Sequence, residues 1–186
     1  MKELSLNILD IAQNSIKAGA QHLEIELIQT GTVLTVTITD DGRGMPPEFA
    51  AAAADPFTTT RTTRKVGLGL PLFKMAAEQT GGTFSLESKQ RTESGGEHGT
   101  RVSAAFHTDH VDCAPLGDIA STITTLIQGN PELSISYVFR TDAGQKRLST
   151  DEMREMLGGD VPLNAPEVLA WARDYIEDPE PDDLEQ

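Results

Sequence analysis

Three polar side chains recur on one face of the first predicted helix. Asp10, Asn14 and Lys17 are four and three residues apart, and at about 100° per residue they share with Asn7 a stripe roughly 80° wide. The amide oxygen of Asn14 could bind Mg²⁺ beside a polyphosphate. Lys17 could contact a phosphate, and Asp10 could orient a water. A solvated face of an amphipathic surface helix would show the same pattern, so this helix decides nothing alone.

A carboxylate followed by two glycines ends the second predicted strand. Asp40 is followed by Asp41, Gly42, Arg43 and Gly44. A carboxylate at a strand end can accept a hydrogen bond from an exocyclic amine such as that of adenine, and the glycines let the backbone approach a flat ring. An ordinary turn is the alternative, because Asp-Gly is frequent in turns.

A third motif, Gly67, Leu68, Gly69 and Leu70, opens another predicted helix. Helix N-termini carry unpaired N–H groups and a partial positive charge, which suit a phosphate. Arg61, Arg64 and Lys65 precede the motif, in a segment over 58–66 that has no apolar period and is predicted to be a mobile loop. The spacing matches neither of the two commonest nucleotide-binding loops, Gly-x-x-x-x-Gly-Lys-Ser/Thr and the complete Gly-x-Gly-x-x-Gly. A loop hinge with solvated cations is the alternative.

Hydrophobic periodicity predicts the elements that would position these motifs. Apolar residues at three- and four-residue spacing predict helices over 3–18 and 67–79, and alternation predicts strands over 22–29, 32–39, 83–88 and 100–106. Short connections between neighbouring strands predict an α+β fold, a two-layer α/β sandwich with a mixed sheet and helices on one face. This domain would span residues 1–108.

A second region is predicted beyond a polar linker at 107–115. Helices over 116–128, 150–157 and 165–177 and a hairpin over 133–148 would form a small C-terminal α/β region at 109–178. Residues 179–186 are acidic and contain proline, so a disordered tail is expected. The segment from Gly158 to Tyr175, with Trp171, is either a docking surface or packs against the first domain.

Composition argues against several functional classes. The formal net charge of −14 and the pI near 4.5 do not suit a nucleic-acid-binding surface. No segment has the roughly 18 consecutive apolar residues of a membrane span, and the N-terminus lacks a signal peptide's apolar stretch. A cytoplasmic protein is therefore expected, with neither nucleic acid nor a membrane as partner. Cys113, the one cysteine, excludes an internal disulfide.

Together the three motifs resemble the GHKL superfamily, whose Bergerat fold occurs in DNA gyrase, the ninety-kilodalton heat-shock chaperones, histidine kinases and MutL. Residues 9–20 resemble its N box, and 40–44 its first glycine box. Residues 55–61 and 67–70 resemble the lid and second glycine box of nitrogen-regulation histidine kinases. The resemblance implies ATP with Mg²⁺ on Asn14 and adenine on Asp40. It adds as nucleotide-binding residues Lys17, Gly42, Gly44, Thr59, Arg61, Lys65, Gly67, Leu68, Gly69, Leu70 and Thr100.

The departures from the family pattern bear on mechanism. ATP-hydrolysing members carry Glu four residues before the Asn, whereas this chain carries the shorter Asp10, which leaves hydrolysis open. Lys17 follows the kinase pattern, and no phospho-acceptor helix precedes residue 3. The resemblance therefore implies a stand-alone bacterial kinase-like protein that phosphorylates an unidentified partner protein. The alternative is an ATP-dependent regulatory or assembly module with slow or no hydrolysis, similar to small proteins encoded beside iron-only hydrogenases.

Overall fold

The computed structural model describes residues 3–55 and 68–182. Over these residues the chain forms, in order, α1 (Leu4–Lys17), β1 (His22–Thr30), β2 (Val33–Asp40), α2 (Pro47–Ala53), α3 (Gly69–Gln79), β3 (Thr83–Lys89), β4 (Gly99–His107), α4 (Ile119–Gly129), β5 (Ser134–Thr141), β6 (Gly144–Ser149), α5 (Thr150–Leu157) and α6 (Pro166–Glu177). The loop predicted over 58–66 lies outside the described residues.

The strands form a single six-stranded sheet in the order β3-β4-β2-β1-β5-β6. β1 and β5 run parallel, and the other neighbouring pairs run antiparallel. Hairpins explain the antiparallel pairs that are adjacent in sequence, whereas parallel β5 needs a crossover, which α4 supplies. The predicted mixed sheet is confirmed.

One face of the sheet is apolar because its side chains alternate along each strand. In β1, Leu23, Ile25 and Leu27 are buried, while Glu24 on the opposite face is exposed. Helices cover the apolar face, and their buried side chains join one core with those of the strands, as Phe73 of α3 does. The predicted α+β two-layer sandwich, with helices on one face, is confirmed.

The C-terminal region extends the same sheet and core. β5 pairs with β1 from His22↔Ser134 to Ile28↔Arg140, and Tyr137 of β5 is fully buried in the common core. Residue 108 therefore separates two stretches of sequence, but not two sheets or two cores.

The linker after β4 holds the start of α1. The N–H groups of Leu4 and Ser5 donate to the carbonyls of Pro115 and Leu116 at 2.9 and 2.8 Å. From α4, the Thr122 hydroxyl donates to the Ser5 carbonyl at 3.2 Å. The bonds to Pro115 and Leu116 satisfy N–H groups that the first turn of a helix leaves unpaired. They tie α1 to the C-terminal region.

The acidic tail differs from the expectation of disorder over its first four residues. The Asp182 carboxylate accepts hydrogen bonds from the Tyr175 hydroxyl and the Arg147 N–H, both at 2.6 Å, and pairs with Lys146 at 3.2 Å. A carboxylate with three donors on α6 and β6 fixes the chain there, which acidic composition alone does not reveal. Residues 183–186 lie outside the described part of the chain.

Asn7 is buried, although the helical stripe predicted it to share a polar face with Asp10 and Asn14. α1 packs against both α3 and α4, and only 1% of Asn7 is exposed. Its amide oxygen and nitrogen have no hydrogen-bond partner in the described part of the chain. An unpaired buried amide destabilises a fold because it loses its bonds to water without replacement.

We expect Asn7→Leu to raise the free energy of unfolding by about 1–3 kcal/mol, because an apolar side chain of similar shape removes the unpaired amide. Urea denaturation at pH 7, followed by circular dichroism, measures this. Gln13→Leu, at an exposed position of the same helix, controls for helix propensity and should change stability by no more than about 0.5 kcal/mol. An Asn7→Leu variant no more stable than wild type would contradict the interpretation.

Candidate functional site

A cleft of about 290 Å³ lies between α1, the ends of β2 and β4, the loop after β2 and the start of α3. This volume is close to the lower end of small-molecule pockets, about 300 Å³. Its apolar lining comes from Ile11, Ile38, Met45, Phe49, Leu70 and Val102, and its polar lining includes Asn14, Lys17, Asp40, Arg43 and Thr100. Residues of all three sequence motifs therefore meet in one place.

The Asp40 carboxylate is held in a fixed orientation at the end of β2. Its Oδ2 accepts a hydrogen bond from the Ser15 hydroxyl of α1 at 2.5 Å, and its Oδ1 accepts one from the Gly42 N–H at 2.9 Å. Across the sheet, Thr100 of β4 is its register partner. Each carboxylate oxygen can accept more than one bond, so Asp40 can still receive a donor from a bound molecule.

Gly42 and Gly44 allow the loop after β2 to pack closely at two points. Gly42 is buried, and a Cβ there would lie 2.9 Å from Asp40 Oδ1 and 3.0 Å from Ala18 Cβ. Gly44 has φ +67°, which disfavours other residues, and its backbone lies against Lys89. The adjacent Arg43 N–H donates to the Ala18 carbonyl at 3.0 Å. This glycine motif thereby docks on the end of α1.

The second glycine motif reaches the polar stripe of α1. A Cβ on Gly69 would lie 3.3 Å from Asp10 Cβ and 3.9 Å from Asn14 Nδ2. Asn14 is half-buried in the cleft, whereas Lys17 is exposed at its rim. Asp10 is exposed and is not part of the cleft wall. The missing side chain of Gly69 lets the first turn of α3 lie beside Asn14.

The structure places only some of the predicted site residues at the cleft. Asn14, Lys17, Asp40, Gly44, Leu70 and Thr100 line it, and Gly42 supports Asp40. Leu68 does not line it, with 62% of its surface exposed. Thr59, Arg61, Lys65 and Gly67 lie outside the described residues.

Some of the contacts that shape the cleft have no signal in the sequence. The Ser88 hydroxyl, on β3, lies 2.8 Å from that of Thr100 and accepts the Met45 N–H at 2.8 Å. His98 Nδ1 lies 2.7 Å from the Gly42 carbonyl. Strand register creates the first of these contacts, since Ser88 and Thr100 are partners across β3 and β4.

Asp41 supports the site from behind. Its carboxylate accepts the N–H groups of Gln21 and His22 at 2.8 and 2.9 Å and lies 2.6 Å from His22 Nδ1. Partial burial by itself would raise the pKa of Asp41, but the hydrogen bonds from His22 and Gln21 outweigh it and lower that pKa below its ordinary 3.8. Asp41 therefore joins the end of β2 to the turn between α1 and β1.

The family follows from comparison with known proteins. A family described as histidine kinase-, DNA gyrase B- and HSP90-like ATPase matches residues 2–110. The chain belongs to this family. The predicted GHKL resemblance is confirmed, and the family supports the binding of ATP or ADP in this chain. Among the described residues, no helix is long and apolar enough to cross a membrane.

The similar proteins include sensor histidine kinases and an ATPase domain. The chain is 27% identical over 91 residues to an NtrY-like sensor histidine kinase of Rickettsia bellii (48% of this chain, 15% of the relative). It is 29% identical over 85 residues to the sensor histidine kinase ZraS of Escherichia coli K12 (45% and 18%). It spans under a fifth of the length of either relative.

A solved structure confirms the Bergerat fold. The Aquifex aeolicus MutL ATPase domain complexed with ADP matches with a TM-score of 0.54 at 15% identity, over 85% of this chain and 70% of that one. This match covers more of the chain than residues 2–110. It therefore includes part of the C-terminal region.

We expect Asp41→Asn to lower the free energy of unfolding by about 1 kcal/mol at pH 7, a modest effect because the carboxylate is partly exposed to solvent. The hydrogen bonds lower the pKa of Asp41 in the folded state. The stabilisation that the Asp41 carboxylate provides is therefore fully present above about pH 3.8, the ordinary pKa. It is lost as the pH falls through the lower pKa of the folded state. The stability difference should narrow in acid.

Urea denaturation of both proteins across this pH range measures the difference. Asp109→Asn, at an exposed carboxylate, is the matched control, and its free energy of unfolding should equal that of wild type across this pH range. A difference in the free energy of unfolding between wild type and Asp41→Asn that stays constant as the pH falls would contradict the assigned hydrogen bonds.

Proposed function

We propose that this chain binds Mg-ATP in the cleft and transfers the γ-phosphoryl group to a partner protein. The observation that carries the nucleotide assignment is the Asp40 carboxylate, held by Ser15 and Gly42 at one end of a cleft with apolar walls. A flat adenine ring suits such walls, and its exocyclic amine is the donor that Asp40 can accept.

The polar end of the cleft fits the phosphates and their metal. Asn14 offers an amide oxygen, the hard ligand that Mg²⁺ takes while it keeps waters and phosphate oxygens. Among the described residues, no cluster of histidine, cysteine or carboxylate side chains can hold a metal alone, so the ion would bind with the nucleotide. When bound, it would neutralise phosphate charge. Lys17 and Arg43 are exposed cations that line the same cleft as Asn14, and the first turn of α3 adds unpaired N–H groups.

The transfer step needs an acceptor from another molecule. A nucleophilic side chain of the partner attacks the γ-phosphorus, the bond from that phosphorus to the β-bridging oxygen breaks, and ADP leaves with the electron pair. The acceptor's proton goes to solvent or to a base of the partner. Membership of the family over residues 2–110 and similarity to sensor histidine kinases over 91 and 85 residues support this chemistry.

Asp10 favours transfer over hydrolysis in this proposal. It is exposed, stands outside the cleft wall, and lies beside Gly69 rather than beside the apolar pocket. A general base must lie within hydrogen-bond reach of the attacking water. An aspartate at this position can orient a water only at longer range, so we expect slow hydrolysis by the isolated chain.

We expect Asp40→Asn to weaken ATP binding by roughly 10- to 100-fold with or without Mg²⁺, because a charge-assisted hydrogen bond contributes about 1.5–3 kcal/mol. It should also reduce the preference for ATP over GTP, since the new amide can donate to the guanine carbonyl. Asn14→Ala should weaken binding only when Mg²⁺ is present. Calorimetric titration with Mg²⁺ and with EDTA separates the two effects.

Two conservative substitutions serve as controls for this titration. Asp109→Asn and Gln13→Ala remove exposed groups outside the cleft and should leave both affinities unchanged. Wild-type affinity in both Asp40→Asn and Asn14→Ala would refute the site assignment.

Incubation with ATP labelled on its γ-phosphate and an extract of the source organism tests the transfer. We expect label on a protein other than this chain, and the label should be absent with Asn14→Ala. Slow release of labelled phosphate with no labelled protein would instead support the regulatory or assembly module, including one that serves an iron-only hydrogenase. Binding without transfer would leave the nucleotide assignment intact but overturn the kinase proposal.

A further inference from the structure

An apolar groove of about 520 Å³ lies between α5, α6 and the segment that joins them. Met153 and Val168 form its floor and are buried in the core. Its walls are exposed: 77% of Met156, 41% of Val161 and 48% of Trp171 are accessible to solvent. Contiguous exposed apolar side chains often mark a site of interaction with another molecule.

Trp171 forms the aromatic wall of the groove, and its neighbour Tyr175 fixes its position. Trp171 stacks on Tyr175 with ring centroids 5.2 Å apart and planes at 12°. The Tyr175 hydroxyl donates to Asp182 at 2.6 Å and lies 2.9 Å from the Arg147 carbonyl oxygen, and Lys146 lies 4.6 Å from the centre of its ring. An aromatic side chain that is ordered before binding loses little entropy on binding, which favours a stable interface.

The rim of this groove carries unpaired negative charge. Glu167 lines the groove, and Asp160 directly precedes the lining residue Val161; both are exposed and form no ion pair within the described ranges 3–55 and 68–182. The nearby cations already have carboxylate partners: Lys146 with Asp182, Arg147 with Glu152, Arg154 with Asp151, and Arg173 with Asp118. The groove therefore presents an apolar floor with an acidic rim.

The groove is distant from the nucleotide cleft in the fold. α6 packs on α4 and β6, and β6 ends the sheet at the edge opposite β3 and β4. The cleft lies at β2 and β4. A partner in the groove can therefore bind without covering the cleft, and this inference does not rest on phosphoryl transfer.

We propose that this α5–α6 groove binds a basic amphipathic helix of a partner protein. Apolar side chains at positions i, i+4 and i+7 of such a helix enter the groove, and its flanking Lys or Arg side chains face Asp160 and Glu167. Met153 and Met156 adapt their shape to the inserted side chains. A second copy of this chain would bring like charges together, and the acidic residues 183–186 would be repelled by the same rim.

Trp171 is the chain's single tryptophan, so its fluorescence reports directly on the groove. The full chain is titrated with three helical peptides of about 18 residues. One is basic and amphipathic, one has the same apolar face with Glu in place of Lys, and one is a scrambled basic sequence without an apolar face. We expect a saturable blue shift with the first peptide alone, weakened by salt.

Substitutions of exposed residues test the contacts without disturbing the core. Met156→Ser should weaken binding of the basic peptide by about tenfold. Asp160→Lys combined with Glu167→Lys should weaken binding of that peptide and allow the acidic peptide to bind. Val111→Ser removes an apolar side chain that is 91% exposed outside the groove and should change nothing. All variants should keep wild-type nucleotide affinity.

Three results would overturn the proposal. The first is an unchanged Trp171 emission at saturating basic amphipathic peptide. The second is an equal shift with the acidic or the scrambled peptide, which would show that apolar contact or charge alone suffices. The third is a shift that depends on protein concentration without peptide, accompanied by dimers in sedimentation, which would identify a second copy as the occupant.

Discussion

The hydrogen bonds of the Asp40 carboxylate join the end of β2, α1 and the glycine loop after β2, which together form much of the cleft. One oxygen accepts the Ser15 hydroxyl and so connects the end of β2 to α1, and the other accepts the Gly42 N–H and so sets the path of the glycine loop. Neither Asn14 nor the apolar walls would be correctly placed if α1 shifted along the sheet. The group that recognises the ligand in our proposal is also the group that fixes the geometry of the cleft.

The C-terminal region contributes to this geometry although none of its residues line the cleft. β5 adds to the sheet beside β1, α4 packs on α1, and the linker carbonyls of Pro115 and Leu116 hold the first turn of α1. The similarity to the MutL ATPase domain extends into this region, beyond the residues 2–110 that the family itself matches. The region therefore supports the nucleotide cleft on one side and, in our proposal, presents the α5–α6 groove on the other.

The two proposed surfaces differ in charge as their ligands require. The proposed nucleotide cleft combines the Asp40 carboxylate, which we propose recognises adenine, with Lys17 and Arg43 on its lining, and this combination suits an anionic ligand with a neutral base. The groove has an apolar floor and free carboxylates on its rim, in a chain whose net charge is −14. A net charge of this size gives a repulsive term between copies of the chain and an attractive term toward basic segments.

Sequence alone determined the features that depend on local periodicity. The helix of Asp10, Asn14 and Lys17, the strand that ends at Asp40, the glycine motifs and the α+β sandwich all follow from spacings within one element or between neighbours, because side-chain direction repeats regularly along helices and strands. Only the tertiary structure showed that Asn7 is buried, that β5 joins β1 in parallel, that Ser88 contacts Thr100, and that Asp182 is held by Tyr175. Each of these depends on which distant segments pack together, and the free energy that selects such packing comes from burial and strand register rather than from any local pattern.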